Sequence, residues 1–260
     1  MSQERRDRAI PDARPFVAPC RDLSPGAPLQ WLALGWADFK RAPAISLAYG
    51  FFVFLLSASV AWLAWKLGGY VLLISALSGF IFIAPLLAFG LYSVSRLLCE
   101  GRKPKLVRTL RAIRRPLGNA AIFALILLVI FLVWARAGLM VHVFFPMDGR
   151  PQLSDVLTFL AVGSAVGSVF AGFTFAAAAC SLPMLANRDV DVVTAVVSSI
   201  NAVLRNKWTM LVWGLLIVGI TSIGLATALL GLIVTIPWLA YATWHAYRAM
   251  LDVSDWPPLD

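Results

Sequence analysis

The sequence predicts an all-α, polytopic membrane bundle: six transmembrane helices in three pseudo-repeated hairpins, with amphipathic helices on the cytoplasmic side. Three observations predict it. The 260 residues are 60% hydrophobic and only 13% charged, with a mean hydropathy of +0.83, whereas a soluble domain carries about 25% charged residues. Long apolar segments recur, each near the ~20 residues that a bilayer-spanning helix needs. The basic residues then cluster on alternate connections: of 22 lysines and arginines, nineteen fall on one side of this topology. Facing anionic lipid accounts for them, and the positive-inside rule puts both termini in the cytoplasm.

Residues 1–28 are polar and turn-rich, with Pro11, Pro15, Pro25, Pro28 and five arginines. They lack an apolar core, so no cleaved signal peptide is expected, and their composition predicts a disordered cytoplasmic tail. Residues 29–250 form the membrane domain, and residues 251–260 a second cytoplasmic tail. Within residues 29–41, Leu29, Leu32, Trp36 and Phe39 share a helical face, while Gln30, Asp38 and Arg41 lie largely away from it. That run is too short to span, and Trp beside Lys and Arg suits a helix in the headgroup plane. Pro43 ends it.

Residues 44–65 are the first span, with Trp62 and Trp65 placed for an aromatic belt at the far end. Residues 66–69, with Gly68 and Gly69, make a turn, and residues 70–95 return. The stretch 100–117 is the most basic, holding Arg102, Lys103, Lys105, Arg108, Arg111, Arg114 and Arg115. Leu106, Leu110 and Ile113 recur there at helical spacing, which predicts a second interfacial helix. Residues 119–141 span again, a loop with Pro146, Gly149 and Pro151 follows, and residues 155–185 return. Residues 189–207 are a third amphipathic stretch, with Asp189 as its cap. Residues 208–228 span, the chain turns near Gly231, and a last helix runs to about Met250.

One tetrapeptide recurs late in the return helices: Pro85-Leu86-Leu87-Ala88, Pro183-Met184-Leu185-Ala186 and Pro237-Trp238-Leu239-Ala240. Arg96 and Arg248 each lie eleven residues beyond their prolines. Together with the order of elements, this predicts a threefold repeat whose prolines kink each helix near the cytoplasmic side.

Residues suited to chemistry are sparse. Cys20, Cys99 and Cys180 form no CxxC, so neither a disulfide framework nor a zinc site is expected. His142 and His245 fall at opposite faces of the membrane and cannot pair as axial haem ligands. His245, beside Trp244 and Tyr247, is expected to be an interfacial anchor. All thirteen acidic residues fall in loops, tails or helix ends. Arg136 is the one basic residue inside a span, and its long stem is expected to snorkel. Gly163 and Gly167 form a GxxxG pair that lets helices pack closely. No catalytic, cofactor or metal site is expected. The candidate lipid or partner contacts are Lys40, Arg41, Arg108, Arg111, Arg114 and Arg115.

Three stretches, WLALGWADFKRAPAISLAYG from Trp31, SLPMLANRDVDVVTA from Ser181 and ATWHAYR from Ala242, resemble a bacterial integral-membrane family, domain of unknown function 2189. The resemblance extends over nearly the whole chain after residue 25 and implies a protein of the bacterial inner membrane. Some members of that family carry a cytochrome c oxidase label, which the two histidines here do not support. The expected partners are membrane lipids, chiefly anionic headgroups on the cytoplasmic face, with a protein partner or a second copy as further candidates and no nucleic acid. The expected function is a non-enzymatic scaffold or accessory subunit. The alternative is a channel or transporter for a small neutral solute, lined by Ser, Thr and Gly of the second, fourth and fifth spans.

Overall fold

The computed structural model describes residues 15–102, 104, 117–144 and 153–259. Among the described residues the fold is all-helical, with eight helices: α1 (Ala27–Arg41), α2 (Pro43–Cys99), α3 (Leu117–Phe144), α4 (Leu153–Ala178), α5 (Ser181–Asn187), α6 (Val192–Arg205), α7 (Lys207–Ala226) and α8 (Leu232–Met250). Five stretches are long and apolar enough to cross a membrane: Pro43–Gly69, Phe82–Cys99, Gly118–Gly138, Leu157–Asn187 and Lys207–Ala226. Helix α8 stands apart from these because Trp238, Tyr241, Trp244, His245, Tyr247 and Arg248 lower its apolarity. The expected basic helix at residues 100–117 lies almost wholly outside the described residues.

Helix α2 is two limbs joined by a sharp break. Gly69 takes φ 60°, ψ −148°, a region open essentially to glycine alone. The break falls in the expected turn. The first limb turns Phe51, Phe52, Leu55, Trp62 and Trp65 outward, and α3 does the same with Leu125, Leu128, Val129 and Leu132. Exposed apolar surface on this scale marks contact with something apolar, and lipid supplies it along whole helices. The molecule is thus a multi-pass membrane protein whose outer helices are greasy on the outside.

The core gathers around α8, which packs against both α1 and α2. Trp213, Trp244, Tyr241 and Tyr247 are all fully buried there. Two glycines set how closely these helices approach. A Cβ on Gly35 would lie 2.6 Å from the Ala242 nitrogen; one on Gly50 would lie 2.6 Å from the Ile233 carbonyl carbon and would overlap its oxygen. Pro237, four residues beyond Ile233, has no N–H to bond that carbonyl, and α2 moves in against the freed group.

Several expectations are corrected here. Helix α1 does not stand apart from the bundle but packs against α8. Its buried stripe is Trp31, Leu32, Gly35, Asp38 and Phe39, whereas Leu29 and Trp36 are exposed. The stripe is therefore rotated from the expected face, because it follows the residues that meet α8 and α7; Trp31 packs edge-on to Trp213 at 5.6 Å. The fourth span breaks at Ala179 and Cys180. Pro183 lies in the first turn of the short helix α5, where a proline is tolerated, whereas Pro85 and Pro237 lie inside continuous helices. Ser199 of α6 bridges that break, accepting from the Cys180 N–H at 3.0 Å and donating to the Ala176 carbonyl at 2.7 Å. The cap of α6 is Asp191, which accepts from the Thr194 N–H at 2.9 Å, while Asp189 stays exposed.

The segment expected to be a disordered tail packs against the bundle from Val17 and Ala18 onward. Ala18 is buried and its N–H donates to Ser198 Oγ at 2.9 Å. Asn206 accepts from the Leu23 N–H at 2.8 Å and donates to the Arg21 carbonyl at 3.0 Å. The C-terminal tail runs antiparallel beside this strap: Arg21 N–H donates to Met250 at 2.8 Å and Asp252 N–H to Pro19 at 2.9 Å. The tail then pairs with the α5–α6 connection, Asp189 N–H donating to Pro257 and Leu259 N–H to Asn187. Two extended straps thus close one end of the bundle. Composition alone cannot reveal this, because each strap's partners lie far along the chain.

Candidate functional site

Two polar features occupy the strapped end, and α2 and α8 contribute to both. The first is a buried carboxylate. Asp38 in α1 is 3% exposed, and an uncompensated charge there would be very costly. His245 Nε2 lies 2.9 Å from its Oδ2, and Ser95 Oγ donates to the same oxygen at 2.9 Å. A carboxylate only accepts, so Nε2 carries the proton of that bond. Arg41 adds a longer contact at 3.9 Å from an exposed side chain, which is worth little. One helical turn before His245, Tyr241 shares a 2.8 Å hydrogen bond with Ser46, which also donates to the Ala42 carbonyl. Spacing of four residues puts Tyr241 and His245 on one face of α8.

Asp38 lies near the end of α1 as expected, yet it is buried, and His245, expected to be an interfacial anchor, is held by it. Sequence could not show the pair, because 207 residues separate its members. The Ser, His and Asp side chains do not form a hydrolytic triad. Ser95 donates to the carboxylate and not to the imidazole, whereas acyl-transfer chemistry needs a nucleophile bonded to the base.

The second feature is a cleft of about 410 Å³ beneath the straps. Arg96 at the end of α2, Arg188 after α5 and Arg248 in α8 all line it, with Trp244 among the walls. Trp244 and Arg248, four apart, lie on a different face of α8 from His245, just as Arg96 follows Ser95 on α2. Arg96 Nη1 donates to the Leu259 carbonyl at 2.9 Å and Arg188 Nη1 to the Trp256 carbonyl at 2.9 Å, so the tail helps hold both guanidiniums. The Nε of Arg188 and the Nε1 of Trp244 are buried without a hydrogen-bond acceptor among the described residues. The signals in sequence were the matched spacing of Arg96 and Arg248 behind their prolines and the polar stretch 187–191, which holds Arg188 and could bind a partner.

Of the expected contact residues, Lys40 and Arg41 are exposed at the end of α1. Arg108, Arg111, Arg114 and Arg115 lie outside the described residues. Gly163 has nothing within 4 Å of its Cβ position, and Gly167 meets only Trp134 Nε1 at 3.9 Å. Among the described residues neither glycine stands at a tight crossing, whereas Gly35 and Gly50 do. Arg136 is exposed on α3, one turn or less from Trp134, whose ring packs on Phe82 at 5.3 Å. No group of three His, Cys, Asp or Glu residues with metal-binding geometry occurs among the described residues.

No curated protein and no solved structure matches the chain. Residues 72–187 match a family model described as a predicted integral membrane protein, a stretch that runs from the second limb of α2 to the last residue of α5 and so includes Ser95 and Arg96. Over that stretch the chain is similar to DUF2189, the integral membrane family that the three sequence stretches resemble.

Proposed function

We propose that this protein is a non-enzymatic scaffold or accessory subunit of the bacterial inner membrane. It spans the bilayer six times, with α8 as the sixth span and both termini in the cytoplasm. Its basic cytoplasmic face engages anionic headgroups, a protein partner or a second copy of the chain. One observation carries this reading: nineteen of 22 basic residues fall on one side of the topology, against Lys66 and Arg150 on the other and Arg136 within a span. Such a bias sets orientation, and each basic residue near an anionic leaflet adds about 1 kcal/mol of attraction. The strapped end agrees with it, since Lys40, Arg41, Arg96, Arg188 and Arg248 all belong there.

Reporters fused after Gly69 and Gly149 test the topology, and cytoplasmic activity at either site sinks it. Native mass spectrometry of the protein released from its own membrane tests the role. Retained anionic lipid or a co-purifying subunit is expected. Neither being retained, together with solute uptake by reconstituted proteoliposomes, would replace the scaffold with a transporter.

A further inference from the structure

We propose that the cleft lined by Arg96, Arg188 and Arg248 binds a phosphate oxyanion, carried either by an anionic lipid headgroup or by a soluble phosphate ester. The inference rests on the basic-face reading above and assigns one site within that face.

Three guanidiniums from three separate elements converge on one cleft of about 410 Å³. Like charges gathered in a partly desolvated space repel, and the arrangement is stable when an anion sits between them. The carboxylates in the wall are otherwise engaged: Asp252 pairs with Arg21 at 3.3 Å and Glu100 with Arg102 at 3.2 Å. Two further donors belong to residues of its wall. Arg188 Nε and Trp244 Nε1 are both buried, both belong to lining residues, and neither has a protein acceptor among the described residues. Tetrahedral phosphate offers enough oxygens to accept from guanidiniums that arrive from several directions.

Residue type narrows the ligand further. All four cations in the wall are arginines, Arg21 being the one paired with Asp252, and their planar forks match phosphate and carboxylate oxygens in pairs, unlike the point charge of lysine. The volume exceeds that of a bare carboxylate and falls within the range of small-ligand pockets, roughly 300–1,000 Å³. The backbone hydrogen bonds from Arg96 and Arg188 to the C-terminal tail pre-position both groups, which lowers the ordering cost of binding.

The test uses the full chain in neutral detergent, titrated calorimetrically with inorganic phosphate at constant ionic strength. A parallel arm uses native mass spectrometry from nanodiscs of phosphatidylcholine with and without phosphatidylglycerol. The variants are Arg248→Gln, at an exposed lining position, and Arg188→Lys, which keeps the charge and loses the fork. Circular dichroism and gel filtration check that each folds. Saturable phosphate binding that each variant weakens by about tenfold, the scale of one charge-assisted hydrogen bond, supports the site. Phosphatidylglycerol retention that is lost in both variants assigns the headgroup as the source; phosphate binding without such retention assigns a soluble ester. Absence of both, or binding equal in wild type and both variants, overturns the proposal. If Lys40→Gln with Arg41→Gln reduces lipid retention while the cleft variants do not, the cleft fails and the broader basic face stands.

Discussion

Nε2 of His245 lies 2.9 Å from Oδ2 of Asp38, so the last helix of the bundle holds a buried carboxylate of the first. Ser95 of α2 donates to the same oxygen, which ties three helices at one atom. Removing one partner of a buried pair costs more than removing both, because the survivor is left desolvated and unpaired. Asp38→Ala is therefore expected to destabilise the protein by about 3–5 kcal/mol. The double change Asp38→Leu with His245→Leu should lose less than the sum of the two single changes. Denaturant unfolding in detergent gives the cycle; strict additivity would show that the pair is not coupled.

Packing against the freed Ile233 carbonyl predicts a sharp contrast between glycines. Gly50→Ala forces a Cβ into that backbone group, and overpacking commonly costs 1–3 kcal/mol, here about 3 kcal/mol or more since backbone must move. Gly163→Ala meets nothing within 4 Å and should change stability by less than about 0.5 kcal/mol. Thermal unfolding of the two variants side by side checks this. A large loss at Gly163 would reveal a contact outside the single chain.

The cap of α6 carries a pH dependence. Burial pushes the Asp191 carboxyl up, but the hydrogen bonds it receives at Thr194 and neighbouring N–H groups outweigh this and hold it below its ordinary 3.8. A depressed carboxyl contributes stability that is complete above its ordinary value and is lost as pH falls through the folded one. Asp191→Ala should cost about 1 kcal/mol at neutral pH, and the gap from wild type should close below about pH 4. An unchanged gap at pH 3 would place the acid sensitivity elsewhere.

The turn between α7 and α8 holds two non-glycine residues at positive φ, Ala228 at 51° and Leu229 at 70°. Ala228 is exposed, so replacing it removes no core contact. Ala228→Gly is expected to stabilise the turn, since the left-handed region costs an L-residue roughly 1 kcal/mol, offset in part by glycine's freedom when unfolded. A fall in melting temperature would contradict this.

Asn206 holds the N-terminal strap through Leu23 and Arg21. Asn206→Ala should free residues 15–26 without unfolding the bundle, and limited proteolysis should then cut at Arg21 in the variant before the wild type. Equal cleavage rates would mean that the antiparallel pairing with the C-terminal tail suffices.

Element existence was legible along most of the chain, since apolar length and Gly/Pro punctuation act locally. The helices at residues 117–144, 153–178 and 207–226 fall where the apolar segments lie, and Gly68 and Gly69 mark a real break. The face of α1 was not legible. Its periodicity allows several apolar stripes, and the one used is set by Gly35 against Ala242 and by a polar pair with α8. The burial of Asp38 was not legible either, because its close partners, Ser95 and His245, lie far along the chain.

What the sequence alone determined is the membrane character, the run of apolar helices and the one-sided distribution of basic residues, because these follow from composition along the chain and from the thickness of the solvent. What only the tertiary structure decided is which polar groups meet. His245 with Asp38, Arg188 with Arg96 and Arg248 along one cleft, and the N-terminal strap with Asn206 all join residues far apart in the chain. Burial in a shared low-dielectric space selects such partners, and no local pattern records them.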